Sequence, residues 1–434
     1  MSTTHYDVII IGGRCAGASL ALRLAEHNLT ILLVDRANFP SSPNVPSAPF
    51  IHPSAMRLLD EMGIDENEYT HEGSRIDYFA VEVVNACHAV LPISQVNLDR
   101  NYFRGIDRHL FDNALWQRAK QAIGVTARDG FAVSHIQKDQ NGVVCGISGK
   151  SAQGTEEIFT ADLVVGADGR FSFCARQFGA KVIEEQNQHT TAVYLAEWEG
   201  VAEYSADYPN TITSYRTGKG FMVLVIPIAQ NKYHIGTIRK SADARFGEQG
   251  FEHAYMQDMQ RIPNLHTRLK QARRVSDVAG MRPIENGYRQ ALGANWALVG
   301  DAVHYKDPSD GQGIYDALLG AKLLAESIIQ WKKSGSTWAS AGASYEQRLR
   351  DATYTTFKQT VANVKQSIYT DVPDVVNKTL VRWLLNAPEF QSELLRYLSR
   401  AIDAKDYRPI PRNIMGIIAR GIRADIRHYF TQTH

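Results

Sequence analysis

The run Tyr6-Asp7-Val8-Ile9-Ile10-Ile11 ends in Gly12-Gly13-Arg14-Cys15-Ala16-Gly17, continues as an alanine-rich segment and returns as Leu29 to Val34 before Asp35. A short unbroken apolar run bounded by glycine reads as a strand buried on both faces. The segment after it has helical spacing, and a second apolar run follows. Strand, tight turn, helix, strand is the unit of a parallel sheet, which commits the chain to an α/β fold. Ala16, Gly17, Ala18 and Ala21 are small enough for the helix to lie close against the sheet. Gly12, Gly13 and Gly17 leave backbone N–H groups and a helix N-terminus open to a diphosphate. Asp35, at the end of the second strand, is placed to accept hydrogen bonds from ribose hydroxyls. Gly12 and Gly17 occupy the outer positions of a GxGxxG register and Arg14 the middle one. The Arg14 side chain must therefore turn away from the diphosphate, or the loop must shift with it. Cys15, Ala16 and Arg36 belong to the same two loops.

Two more segments end in the same manner. Ala161 to Val165 runs into Gly166-Ala167-Asp168-Gly169-Arg170, and Trp296 to Val299 runs into Gly300-Asp301, followed by Pro308, Gly311, Gly313 and Ile314. Between them, strand-like alternation at 192–198, 210–216, 221–228 and 232–238 predicts a mainly antiparallel layer, with 229–231 turning the last pair. Helices are predicted from about Pro53, over Arg108 to Lys120, from Cys15 to His27, and after Gly313 to about Trp331. The expected fold is a Rossmann-like nucleotide-binding domain assembled from residues 1–77, 100–189 and 280–335. A substrate-binding layer would come from 78–99 and 190–279. A helical C-terminal region would follow over 336–434, with breaks near Pro373, Pro388, Pro409 and Pro411.

The ordered set of Gly12 to Gly17 with Asp35, residues 166 to 170, and residues 300 to 313 resembles the FAD-dependent monooxygenases related to p-hydroxybenzoate hydroxylase. The wider set of flavin-dependent halogenases and geranylgeranyl reductases is similar. What the resemblance implies is FAD held by all three motifs, with Gly300 and Asp301 at the ribityl and pyrophosphate region. Pro308, Gly311, Gly313 and Ile314 would lie beside the isoalloxazine ring, where backbone N–H groups stabilise negative charge on reduced flavin. Asp168 and Gly169 match an element that helps hold FAD and contributes to pyridine-nucleotide contact, and Arg108 matches an arginine near the FAD. Implied with it are NADPH or NADH as electron donor, molecular oxygen, and hydroxylation of an aromatic or polycyclic organic substrate through C4a-hydroperoxyflavin. An external flavin reductase and a homo-oligomer stay open.

Phe50, His52, Met222, Leu224, Tyr233 and His304 are the substrate-facing candidates, and no residue is assigned as a general acid or base. A halogenase is the nearest alternative, although the chain lacks a WxWxIP signature and residues 66–80 contain no lysine. A prenyl reductase and a noncatalytic, membrane-associated flavin protein are the others. The last rests on Ile414, Ile417, Ile418, Ile422 and Ile426 with Arg420, Arg423 and Arg427, which would form a peripheral amphipathic helix or pack on the main body. The 47 basic and 46 acidic residues leave a formal charge of +1, so no global field gathers nucleic acid. No apolar stretch is long enough to cross a bilayer, and no metal-ligand spacing is present. Four scattered cysteines and no leader pattern lead us to expect a cytoplasmic chain.

Overall fold

The computed structural model describes residues 4–432 apart from 44, 97, 219, 245–249 and 409–411. The opening motif forms strand β1 (Thr4–Ile11), helix α1 (Cys15–Ala25) and strand β2 (Ile31–Val34). Val8 to Ile10 and every residue of β2 are fully buried, as expected of parallel strands covered on both faces. Helix α2 (Arg108–Gln121) packs against α1, with Asp107 accepting from the His109 backbone at its start. Strand β3 (Glu156–Gly166) pairs parallel with the other edge of β1, and β4 (Trp296–Leu298) pairs parallel with β3. The helix predicted after Gly313 is α3 (Gly313–Ser334), which lies along α1.

The central order β4–β3–β1–β2 brings distant parts of the chain side by side. Their ends are in register: Ile11 pairs with Gly166 and Val34, and Gly166 pairs with Leu298. All the glycine-rich and acidic motifs therefore leave one edge of one sheet, at the carboxyl ends of its strands, where α/β sheets hold their ligands.

The second sheet is antiparallel except where Thr211–Arg216 runs parallel to Tyr78–Val83. Its outer face carries Tyr194, Trp198, Val223, Val225, Tyr233 and Ile235 under the helices Gly250–Gln260 and Pro263–Arg268, neither of which the sequence patterns announced. Ala279–Ile284 pairs with Thr191–Glu199, so the stretch just after 280, expected in the nucleotide-binding unit, belongs to the second sheet. Two three-stranded sheets were also unexpected, because their strands are too short to carry a period. One joins Phe50–Ile51, Phe103–Gly105 and Arg75–Ile76, and the other Val182–Glu185, Gly287–Arg289 and His304–Tyr305.

Beyond 335 the described chain is helical, led by Trp338–Val364. Pro373 precedes a short helix and Pro388 begins the helix Pro388–Leu398, whereas Pro409 and Pro411 lie outside the described residues. In Ile414–Gln432 one face is packed: Ile417 is buried, Gly421 abuts Trp383, and Asp425 binds Arg382. Ile422 and Ile426 are exposed on the other. Among the described residues no helix is long and apolar enough to cross a membrane.

Candidate functional site

Four loops meet at the common strand edge. Gly12 has φ +109°, and an added Cβ would sit 2.4 Å from the carbonyl oxygen of Ala167, so the first and second motifs touch. Gly17 allows α1 to approach the turn: a Cβ there would be 1.7 Å from the Gly12 carbonyl oxygen. Gly300 has φ +65°, and a Cβ added to it would lie 3.0 Å from the Ala16 methyl, which joins the third motif to the first. Both α1 and α3 begin at this edge without a side-chain cap, leaving their first N–H groups for another acceptor. An added Cβ on Gly313 would meet nothing within 4 Å. Two uncapped helix starts beside close-packed glycine loops suit a diphosphate and an electron-rich ring. FAD fits this cradle.

Arg14 resolves its awkward place in the glycine register by leaving the loop. It donates to the carbonyls of Ser41 and Ser42, to Ser41 Oγ, and to Asp112 at 2.6 Å, lying over the Phe39 ring. Arg108 grips the same carboxylate at 3.0 Å and also donates to Ser47 Oγ. Asp112 is fully buried, and the Cys15 thiol donates to its other oxygen at 3.4 Å. Burial pushes that thiol up to about 12, so it stays protonated. Asp301 is near enough to Arg108 to act on its charge. Through its two arginines Asp112 thus ties the first loop and α2 to Ser41, Ser42 and Ser47, a role only its (i, i+4) spacing from Arg108 foreshadowed.

The remaining expected cofactor residues divide. Asp35 stands at the end of β2, where its two oxygens accept from the backbone N–H groups of Gly13 (2.7 Å) and Ala37 (2.8 Å). Arg36 is exposed. Asp168 is committed locally, accepting from Ser172 Oγ and the Cys174 N–H, while Gly169 takes φ +79° in open space. Arg170 is buried and donates to the Lys306 carbonyl at 2.7 Å.

Pro308 faces the second sheet across a narrow chamber of ≈ 20 Å³. Its walls are Val193, Leu195, Leu224, Ile226, Gly236 and Ile238, with Ala48 and the polar Ser47 and His234. Strand alternation explains the set, since Leu224 opposes Gly236 and Ile226 opposes His234 on one face. Tyr233 therefore points the opposite way, into the helix-covered core, where its hydroxyl meets Glu203. Met222 shares the chamber face but packs with Val193, Ile238 and Ile368. Phe50 is buried against Gly311 and stacks on Phe103. His52 and His304 are also buried away from the lining, His52 beside Tyr315 and His304 stacked on Tyr288. Of the six substrate-facing candidates, Leu224 lines the chamber. His234, on a strand whose period was legible but whose inward face was not, lines it too. Burial, with Lys232 nearby, lowers its imidazole to about 4 and keeps it neutral. A wider cleft of ≈ 250 Å³, among Arg170, Arg176, Arg289 and Tyr305, shares no lining residue with the chamber.

Behind Pro308 lies a buried ionic network that sequence reasoning missed. Lys306 binds Asp310 (2.6 Å) and Asp316 (3.0 Å), and Arg400 binds Asp316 (2.7 Å). Its positive partners hold the Asp316 carboxyl far below the usual range despite the opposing cost of burial. The Lys306–Asp310 spacing was a weak signal, and Arg400 left none.

Known proteins resemble this chain in sequence and in fold. A 1H-pyrrole-2-carbonyl-[peptidyl-carrier protein] chlorinase of Pseudomonas fluorescens is 22% identical over 81% of this chain and 82% of its own. A digeranylgeranylglycerophospholipid reductase of Methanocella arvoryzae is 23% identical over 80% and 84%. A 6-methylpretetramide 4-monooxygenase of Streptomyces rimosus is 25% identical over 75% and 76%. Among solved structures, the flavin-dependent brominase Bmp2 superposes with a TM-score of 0.78 at 19% identity, covering 99% of this chain and 100% of that one. The profile described as FAD binding domain matches residues 5–354. The chain belongs to that FAD-binding family, and it is an FAD-dependent oxidoreductase.

Proposed function

We propose that the protein uses reduced flavin and molecular oxygen to oxidise a largely apolar organic compound held against the apolar sheet face that lines the chamber, with halogenation as the leading outcome. The observation that carries the oxidative reading is the apolar sheet face set against Pro308, in the loop expected beside the flavin. FAD supplies the oxygen activation; the protein's part is to orient the substrate and keep water away. Leu224, Ile226, Val193 and Ile238 contribute shape and dryness, and the neutral His234 contributes one hydrogen-bonding group without a charge. Likeness to the chlorinase and the brominase supports halogenation over the hydroxylation expected from the sequence.

Hydroxylation is the second reading, favoured by a chamber lining that contains no lysine and by the absence of lysine from residues 66–80. Electrons would come from NADPH or NADH, taken directly or through an external flavin reductase. The test supplies FAD-loaded protein with NADH or NADPH, with and without a flavin reductase, under labelled oxygen with chloride or bromide. Pyrroles, phenols and polycyclic aromatics serve as substrates, and products are read by mass. Halogen incorporation is the expected result. Labelled oxygen moves the assignment to hydroxylation, hydrogen addition to reduction, and unchanged substrates throughout would overturn the oxidative reading.

A further inference from the structure

We infer that Arg400, contributed by the C-terminal helical region, is a positioning residue for the flavin, setting both the seat and the charge of the 308–312 loop. The inference rests on reading that loop as the one beside the flavin ring. Arg400 reaches in from a turn with φ +54°, a left-handed conformation that residues other than glycine seldom adopt. Its Nε donates to Gln312 Oε1 at 2.8 Å, one Nη to Thr356 Oγ1 at 2.5 Å and the other to Asp316 Oδ1 at 2.7 Å. The turn is fastened from both sides: Gln312 Nε2 donates to the Leu398 carbonyl (2.9 Å) and Ser54 Oγ to the Ser399 carbonyl (2.7 Å). One guanidinium therefore bridges the loop, the first turn of α3 and the helix Trp338–Val364.

The charges give this bridge an electrostatic consequence. Lys306, Asp310, Asp316 and Arg400 have side chains no more than 6% exposed, two of each sign. His52, itself beside Arg400 and Asp316, is held neutral, and His304 Nε2 stands 3.5 Å from Asp316. Thr360 adds a neutral donor to Asp310 at 2.6 Å. Asp316 lies in the first turn of α3, where an uncompensated carboxylate would cancel the positive potential the helix start offers to an electron-rich ring. Lys306 is shared between Asp310 and Asp316, and Arg400 supplies the second cation that prevents this.

The experiment measures FAD dissociation constants and flavin midpoint potentials of the full-length chain, neither of which requires a substrate. Arg400→Met leaves one carboxylate in excess: the potential should move negative and FAD affinity fall about tenfold, as for loss of a buried charge-assisted hydrogen bond. Asp316→Asn leaves one cation in excess and should move the potential positive. Arg400→Lys restores the charge without the fork, so its potential should recover while its affinity remains weaker than wild type. Opposite signs for the Met and Asn variants support the inference, because a purely architectural role would not reverse with charge. Shifts of the same sign, or none, would overturn it. If Arg400→Met does not fold, Asp316→Asn and Arg400→Lys decide the question, and an unmoved potential in Asp316→Asn overturns the inference. A failure to halogenate or hydroxylate any substrate would leave these measurements unaffected.

Discussion

Replacing Asp112 with asparagine tests how the phosphate end of the site is held together. The substitution keeps the volume but removes the carboxylate shared by Arg14 and Arg108, at 2.6 and 3.0 Å. Asp112 is 0% exposed, while the two guanidinium side chains are 24% and 14% exposed. Removing one partner of a buried ion pair costs about 3–5 kcal/mol. Partial solvent screening of the arginines argues for the lower end, about 3 kcal/mol. With an unfolding entropy of roughly 2.1 cal/mol/K per residue, 434 residues give about 0.9 kcal/mol/K, and the unfolding midpoint should fall by about 3 °C. The assay is a thermal scan at fixed rate on FAD-free and FAD-loaded protein. The loss should be greater without FAD, because a bound diphosphate would give the released guanidinium groups another anion. Equal losses in both forms would show that the freed guanidinium groups do not reach the diphosphate, and no loss in either would refute the importance of the buried pair.

Gly17→Ala places a methyl group 1.7 Å from the Gly12 carbonyl oxygen. It should lower FAD affinity by about tenfold or more, equivalent to about 1.4 kcal/mol, while circular dichroism stays unchanged; normal flavin content would contradict the close approach. Leu224→Trp fills the chamber and should raise KM or stop turnover without altering FAD affinity. Tyr233→Phe, on the opposite face, should cost about 1 kcal/mol of stability and leave KM alone; the reverse pattern would mean that the strand faces have been misassigned. His52 is 1% exposed, and burial, reinforced by Arg400, lowers its imidazole from 6.5 to about 3. The unfolded chain takes up that proton first, so stability is complete above pH 6.5 and falls by about 1.4 kcal/mol per unit as pH drops toward 3. Denaturant titrations of His52→Gln should show a flatter slope in this window, and an unaltered slope would remove His52 as its source.

The flavin cradle was legible because its parts are local. A strand ending in glycine needs no distant partner to be recognised, and residues 6–35, 161–170 and 296–313 each carry that signature. Strand periodicity also located the second sheet, but a period of two does not say which face looks inward. Tyr233 and His234 therefore exchanged roles once register and the covering helices were known. The short strands at 50–51 and 103–105 lacked a period altogether.

From its sequence alone the chain announces a dinucleotide cradle and the edge of the sheet that carries it, because backbone geometry and side-chain size are written into consecutive residues. Tertiary structure alone decided that Asp112 would lock Arg14 to Arg108, that His234 would enter the chamber, and that Arg400 would brace the loop before α3. Each of those outcomes depends on side chains far apart in the chain sharing a dry space. Their charges and hydrogen bonds acquire their strength only after folding has excluded water from between them.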